Sequence, residues 1–220
     1  MGLKREEIAR KLLHLFALSM PIGIFYFPKW NLPSYSVALT LGIVLTGSII
    51  VETLRFKFPY IQKLFFSFFG SMLREEEAVK TTGSTYVIGA ALLCSIIFYK
   101  YPHISFIVLT LFILGDAIAA IVGLSIGKIK IFGKKSLEGS TACFLLCIAL
   151  FYGIFPFIPG LLDAWNGKVP FLLALTTSLS ITILELVPLK VSSKLVINDN
   201  LAVPVLAGGV LLVVSKSLGM

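Results

Sequence analysis

Charge is scarce in this chain. Of its 220 residues, 14% are Asp, Glu, Lys or Arg and 57% are hydrophobic. A soluble domain carries about a quarter charged residues, so an ordinary soluble domain is excluded. Cysteine is scarce too. Cys94, Cys143 and Cys147 each lie in an apolar run, which excludes the disulfide framework of a small secreted chain. Cys143 and Cys147 stand four apart on one helix face with no His or further Cys beside them. They read as packing residues rather than metal ligands. A signal peptide is not expected, because Glu6 and Glu7 interrupt the basic start and no small-x-small cleavage site follows. Myristoylation lacks its Ser or Thr, since Glu6 stands in that place. No repeat of fixed period occurs, which gives little support to a transporter built from two halves.

Long apolar runs are what the chain does have. Several approach or exceed the ~20 residues that cross a bilayer as a helix. Seven spans are expected, at about 8–27, 35–54, 83–100, 103–125, 140–157, 169–187 and 200–217. Pro28, Pro33, Pro102, Pro156, Pro159, Asn166-Gly167 and Pro188 punctuate them. The stretch 56–72 is apolar but interrupted by Lys57, Pro59, Gln62 and Lys63, which suits a helix lying in the interface. Arg74-Glu75-Glu76-Glu77 then reads as a solvated face. With seven spans, fifteen of the nineteen basic residues fall on one side and four on the other. The positive-inside rule puts the N-terminus and the large loops in the cytoplasm and the C-terminus outside. The expectation is an all-α polytopic membrane protein with one domain, 1–220. It would sit in a prokaryotic cytoplasmic membrane or an ER-type membrane. The net charge of +8 is then explained without nucleic acid. Basic cytoplasmic loops also attract anionic lipid headgroups and polyphosphates.

Ionisable residues within spans are costly and point to function by default. Glu52 and Glu185 fall near the cytoplasmic ends of spans two and six, and Asp199 opens span seven. Asp116 precedes Gly127 by roughly eleven residues, about 16 Å at 1.5 Å per residue. In this topology Asp163 is the one acidic residue outside. The rest belong to one leaflet, as around a single cavity open to the cytoplasm. Glu7, Arg10, Lys11 and His14 share a face of the first helix. A snorkelling anchor explains Arg10 and Lys11 and explains His14 less well.

The stretch 115–140, GDAIAAIVGLSIGKIKIFGKKSLEGS, concentrates this chemistry. Asp116 must be protonated, paired or bound to a cation. Ala119 and Gly123 also suit small-residue helix packing. Glycines followed by lysines suit a phosphate cradle. A carboxylate beside polyphosphate suits Mg²⁺, which takes one or two carboxylates plus phosphate oxygens. A P-loop is excluded, because five residues separate Gly127 from Gly133 and no Ser or Thr follows Lys134 directly. A Rossmann fingerprint lacks its βαβ context.

The order Gly-Asp-x-x-Ala-Ala-x-x-Gly-x-x-x-Gly-Lys, then Gly-Lys-Lys-Ser-x-Glu-Gly-Ser, resembles the CTP-dependent lipid kinases. These include dolichol and other polyprenol kinases, phytol kinase and a CTP-dependent diacylglycerol kinase. Glu7-x-x-Arg10-Lys11-x-x-His14 is similar to that family's N-terminal motif. Asn198-Asp199-Asn200-Leu201-x-Val203-Pro204 is similar to its C-terminal one. The central motif is shared in part with phosphatidate cytidylyltransferases. Those are expected to close on Lys-Asp, His-Gly-Gly and Asp-Arg, whereas Asn198 precedes Asp199 here and Gly208-Gly209 lacks both companions. That departure favours the kinase branch.

The resemblance implies transfer of the CTP γ-phosphoryl group to a lipid alcohol at the cytoplasmic leaflet. Asp116 and Asp199 would hold Mg²⁺, and Glu138 would bind Mg²⁺ or orient a lysine. Lys128, Lys134 and Lys135 would hold the triphosphate beside Gly115, Gly123, Gly127 and Gly139, with Ser136 and Ser140 as donors. His14 and Asp116 both remain candidates for the general base. Glu52 with Arg55 would order the cavity wall. Thr82, Ser84 and Thr85 suit phosphate binding or helix capping alike. The Ala/Gly faces leave room for a homodimer.

Overall fold

The computed structural model describes residues 15–33, 35–70, 73, 75–133, 135–189 and 197–220. Glu7, Arg10, Lys11, His14 and Lys134 lie outside the described residues. The described chain is mostly helical. Its helices are α1 (Ser19–Tyr26), α2 (Tyr35–Lys57), α3 (Pro59–Phe69), α4 (Gly83–Ile97), α5 (Pro102–Ser125), α6 (Leu137–Gly153), α7 (Phe171–Leu186) and α8 (Asp199–Ser217). Among the described residues four helical segments are long and apolar enough to cross a membrane: Tyr35–Lys57, Pro102–Ser125, Leu137–Phe157 and Asp199–Ser217. Gly83–Ile97 and Phe171–Leu186 are apolar but shorter.

The boundaries follow local chemistry. Arg55 and Lys57 occupy the last turn of α2, where cations favour the carbonyl end of the helix dipole. The helix therefore runs past the expected residue 54. It stops because Phe58 precedes Pro59 and takes an extended conformation, φ −119° and ψ 111°. Pro59 and Pro102 then start α3 and α5 at positions where no N–H is needed. The interfacial segment expected over 56–72 is thus divided between the end of α2 and α3. Ser136 caps α6 by accepting the Gly139 N–H at 3.2 Å, and Asn198 caps α8 by accepting the Asn200 N–H at 3.0 Å.

One feature departs from the all-α expectation. Lys130–Phe132 (β1) and Lys135–Ser136 (β2) form a short antiparallel hairpin between α5 and α6, with Lys130 opposite Ser136. Gly133 turns it with φ +55°, a conformation that favours glycine. β-Branched and aromatic residues, Ile129, Ile131 and Phe132, alternate here with lysines and suit a strand.

Helix α5 is the centre. It packs on α1, α6, α7 and α8, and Ile104 to Ile113 are all buried. Half of its apolar window is buried, 50%, against 17% for α2. Helix α2 instead exposes Leu39, Ile43 and Ile50. Such a face is costly in water and ordinary against lipid. Opposite the site, Lys29 donates to the Pro159 carbonyl at 2.8 Å and Trp165 Nε1 to Ser215 Oγ at 3.0 Å. These bonds hold the connection before α7 against α8 and the first loop.

The small residues of the 115–140 stretch let α5 and α6 approach closely. A Cβ on residue 139 would stand 2.5 Å from the Ala119 carbonyl oxygen, and one on residue 127 would stand 2.5 Å from Ser136 Oγ. Replacing Gly139 with Ala forces the two helices apart. The expected cost is about 1–3 kcal/mol, read as a fall in the thermal midpoint in detergent. An unchanged midpoint would contradict this packing.

Candidate functional site

The centre of the polar end is Lys135. The hairpin carries it to the ends of α7 and α8. Its Nζ lies 3.1 Å from Glu185 Oε1 and 3.0 Å from Asp199 Oδ2, and it also donates to the Glu185 carbonyl oxygen. Burial pulls the Lys135 pKa down, but the Glu185 and Asp199 carboxylates outweigh it and hold the ammonium above the ordinary lysine value. Glu185 is buried and also feels the negative charge of Asp116. Asp116, Glu185 and Asp199 therefore share one electrostatic neighbourhood, drawn from α5, α7 and α8.

The other expected phosphate-side residues are placed differently. Gly115 packs against Cys143, where an added Cβ would meet the sulfur at 2.8 Å. Gly123 and Gly127 close on Ser136 Oγ, and Gly139 closes on Ala119. These glycines allow close approach of Ser136 and of α5 to α6. Ser136 and Ser140 are both buried, and Ser140 Oγ donates to the Ser136 carbonyl at 3.1 Å. Glu138 accepts the Lys128 N–H at 2.9 Å and the Ile129 N–H at 3.2 Å, pinning the approach to the hairpin. The Lys128 side chain is exposed, and Lys130 Nζ reaches the Gly123 carbonyl at 3.2 Å. Among the described residues, no group of three or more His, Cys, Asp or Glu is arranged to hold a metal. Asp116, Asp199 and Glu138 are thus not gathered as one set. All three cysteines are free and buried.

Asp116 lines a cavity of about 570 Å³. Its long walls are apolar, formed by Met20, Leu41, Val44, Phe65, Phe69 and Val87 among others. Its polar end holds Ser48, Glu52, Glu77, Thr82, Ser84, Asp116 and Asn200. The volume suits a single small ligand or lipid chain.

A second buried ion pair builds that polar end. Arg55 Nη2 meets Glu52 Oε2 at 2.6 Å, with side-chain exposures of 0% and 7%. Arg55 also donates to the carbonyls of Glu77 at 2.9 Å and Lys80 at 2.7 Å. Its guanidinium lies 4.9 Å from the Phe65 ring centroid on α3. Glu52 Oε1 in turn accepts the Thr82 N–H at 2.9 Å and the Thr82 hydroxyl at 2.6 Å. Thr82 occupies the N-cap position of α4 without making a side-chain cap; its hydroxyl serves Glu52 instead. Residues 77–82, which lead into α4, are therefore folded around Arg55.

Two residues gain importance that the sequence did not give them. Glu185 was visible as a carboxylate at the end of an apolar span, but nothing in the spacing linked it to Lys135. Glu77 read as part of a solvated charged run. It lines the cavity and accepts the Gly83 N–H at 2.7 Å.

Comparison with known proteins adds one relative. An uncharacterized protein of Rickettsia prowazekii (strain Madrid E) is 28% identical over 203 residues, covering 90% of this chain and 89% of that protein. No family model matches the chain. No solved structure matches it either.

Replacing Arg55 with Met leaves Glu52 buried without its cation. Breaking a buried pair from one side costs about 3–5 kcal/mol. The variant is expected to show a large fall in folded yield, and Glu52→Gln added to Arg55→Met is expected to recover part of it. If Arg55→Met folds and melts like wild type, the pair does not hold the 77–82 connection.

Proposed function

We propose that this chain is an integral-membrane lipid kinase. It transfers the γ-phosphoryl group of CTP to the hydroxyl of a membrane alcohol, such as a polyprenol, a phytol-like isoprenoid or a diacylglycerol. The observation that carries the reading is the position of Asp116. It lines an apolar cavity, and its charge also reaches the Glu185 that pairs with Lys135. A transferase joining a greasy acceptor to an anionic donor requires such a junction. The choice of CTP rests on the motif resemblance.

Phosphoryl transfer is mostly positioning and charge neutralisation. The new bond forms between the lipid oxygen and the γ-phosphorus. The bond to the CDP oxygen breaks, and the hydroxyl proton passes to Asp116 or His14. Lys135 supplies the ammonium that draws the triphosphate, with Lys128 and Lys134 as further cations of the same loop. Asp116 and Asp199 are the carboxylates suited to Mg²⁺, which needs one or two of them when phosphate oxygens complete its shell. Bound there, Mg²⁺ would neutralise charge on the phosphates. The walls of the cavity hold the lipid chain and keep water from the acceptor oxygen.

The same proposal includes seven spans, with the N-terminus and the 127–136 hairpin in the cytoplasm. The four long apolar helices support it, as does the asymmetry of the basic residues. The two shorter helices would cross at about 1.5 Å per residue beside longer neighbours, with modest mismatch.

Two measurements test this reading. Purified protein in lipid vesicles is given CTP, Mg²⁺ and a panel of lipid alcohols and phosphatidate, with products read by mass spectrometry. A phosphorylated alcohol and CDP are expected. A CDP-lipid with pyrophosphate would make the chain a cytidylyltransferase, and no lipid product at all would remove the enzyme reading. Asp116→Asn is expected to lower turnover at least about 100-fold with normal membrane expression. Separately, a cysteine introduced at Lys130 is expected to react with an impermeant maleimide only from the cytoplasmic side. Labelling from outside would invert the topology.

A further inference from the structure

We propose that Gly83 and the groups clamped around it form the headgroup subsite of the apolar cavity. This subsite takes a hydroxyl-headed lipid and turns away a phosphate-headed one. The inference rests on the reading of the cavity as the acceptor site. Gly83 opens α4. Its N–H is held by Glu77 Oε1 at 2.7 Å, and its carbonyl receives Asn200 Nδ2 at 3.3 Å. A Cβ at this position would stand 2.6 Å from Asn200 Nδ2 and 3.2 Å from Glu77 Oε1. The clamp closes fully only on glycine.

Glu77, Gly83, Ser84 and Asn200 all line the cavity at its polar end. They offer a hydroxyl, an amide and a carboxylate, which exchange hydrogen bonds readily with an alcohol. Among the described lining residues there is no Lys, Arg or His. Such cations favour recognition of a phosphate monoester, and the Glu77 and Asp116 carboxylates on this lining oppose it. Lys135, the ammonium paired with Glu185 and Asp199, does not line the cavity. The clamp also fixes the distance between the two halves of the site. Asn200, which holds Gly83, directly follows Asp199, which pairs with Lys135 at 3.0 Å. A head seated at Gly83 is therefore held in register with the anion side.

The test needs no nucleotide and no turnover. Full-length protein in phosphatidylcholine vesicles is photolabelled with a diazirine-bearing primary alcohol, or with phosphatidate carrying the same chain. Labelled peptides are mapped by mass spectrometry. The alcohol is expected to label segments 37–52 and 82–88, and phosphatidate about tenfold less. The Cβ of Gly83→Ala meets the end of the Asn200 side chain, so it displaces that amide while leaving the backbone in place. This variant, and Asn200→Ala separately, are expected to lower alcohol labelling about five- to tenfold. Ser84→Lys, which adds an ammonium at the head, is expected to raise phosphatidate labelling. Equal labelling by the two lipids overturns the selectivity. Alcohol labelling that survives both Gly83→Ala and Asn200→Ala overturns the subsite and leaves the acceptor cavity standing. Labelling of the cavity by neither lipid overturns both.

Discussion

The ammonium of Lys135 is the contact on which the polar end depends. Glu185 and Asp199 come from different helices and would repel each other where α7 ends and α8 begins. One cation at 3.1 and 3.0 Å from their oxygens turns that repulsion into a joint. The short hairpin delivers it, since Lys135 opens β2 and Ser136 caps the next helix. The close contact of α5 with α6 then fixes where the hairpin stands. A three-residue strand and two small-residue contacts thus position a charge some distance along the chain from both of its partners.

From that joint a continuous path leads to the cavity. Asp199 is followed by Asn200, which bonds Gly83. Gly83 is held in turn by Glu77, and the carbonyl of Glu77 is held by Arg55. Arg55 closes the path on Glu52, which secures Thr82. Each polar group in this series is buried or half-buried and is satisfied by another, as a low-dielectric setting requires. The two ion pairs differ in kind. Glu52–Arg55 lies within one helix and is almost fully enclosed, so it organises the chain locally. Lys135 joins three segments and is 30% exposed, so it can exchange its protein partners for an anionic ligand at lower cost.

Much of the helical layout was legible because apolar length and proline punctuation are strong, local signals. Span limits fell within a few residues of the helices from residue 35 onward, and Glu52 with Arg55 could be paired from their spacing of three. Asp116 and Asp199 stood out because an ionised group within an apolar run must be compensated. The hairpin was not legible, since its strands of three and two residues sit inside a lysine-rich loop. The glycines were legible as a close approach but not as to what approaches. Their spacing fits a phosphate cradle and a helix contact equally, and the position of Ser136 Oγ against Gly123 and Gly127 shows the contact. Glu77 was hidden by its neighbours, because a run of four charges looks solvated whichever of them turns inward. The Glu185–Lys135 pair joins residues 50 apart in sequence, and no periodicity reports such a pair.

Keeping the ammonium of Lys135 outside the lining of the cavity has a consequence for any transfer reaction here. A single pocket that bound both a lipid chain and a triphosphate would need walls that are apolar and cationic at once. Anions would then be desolvated against hydrocarbon at a cost of several kcal/mol. Division removes that conflict. Under the proposed function, the chain of an acceptor would stay among Leu41, Val44 and Val87, and an anion would stay near the partly exposed Lys135 and its carboxylate partners. Only the reacting atoms must meet, and the group at that boundary has to tolerate both surroundings. A half-buried carboxylate does so, because it can pair with a cation on one side and accept a hydroxyl proton on the other. Asp116 is half-buried and lines the cavity, which is the setting that such a boundary group needs.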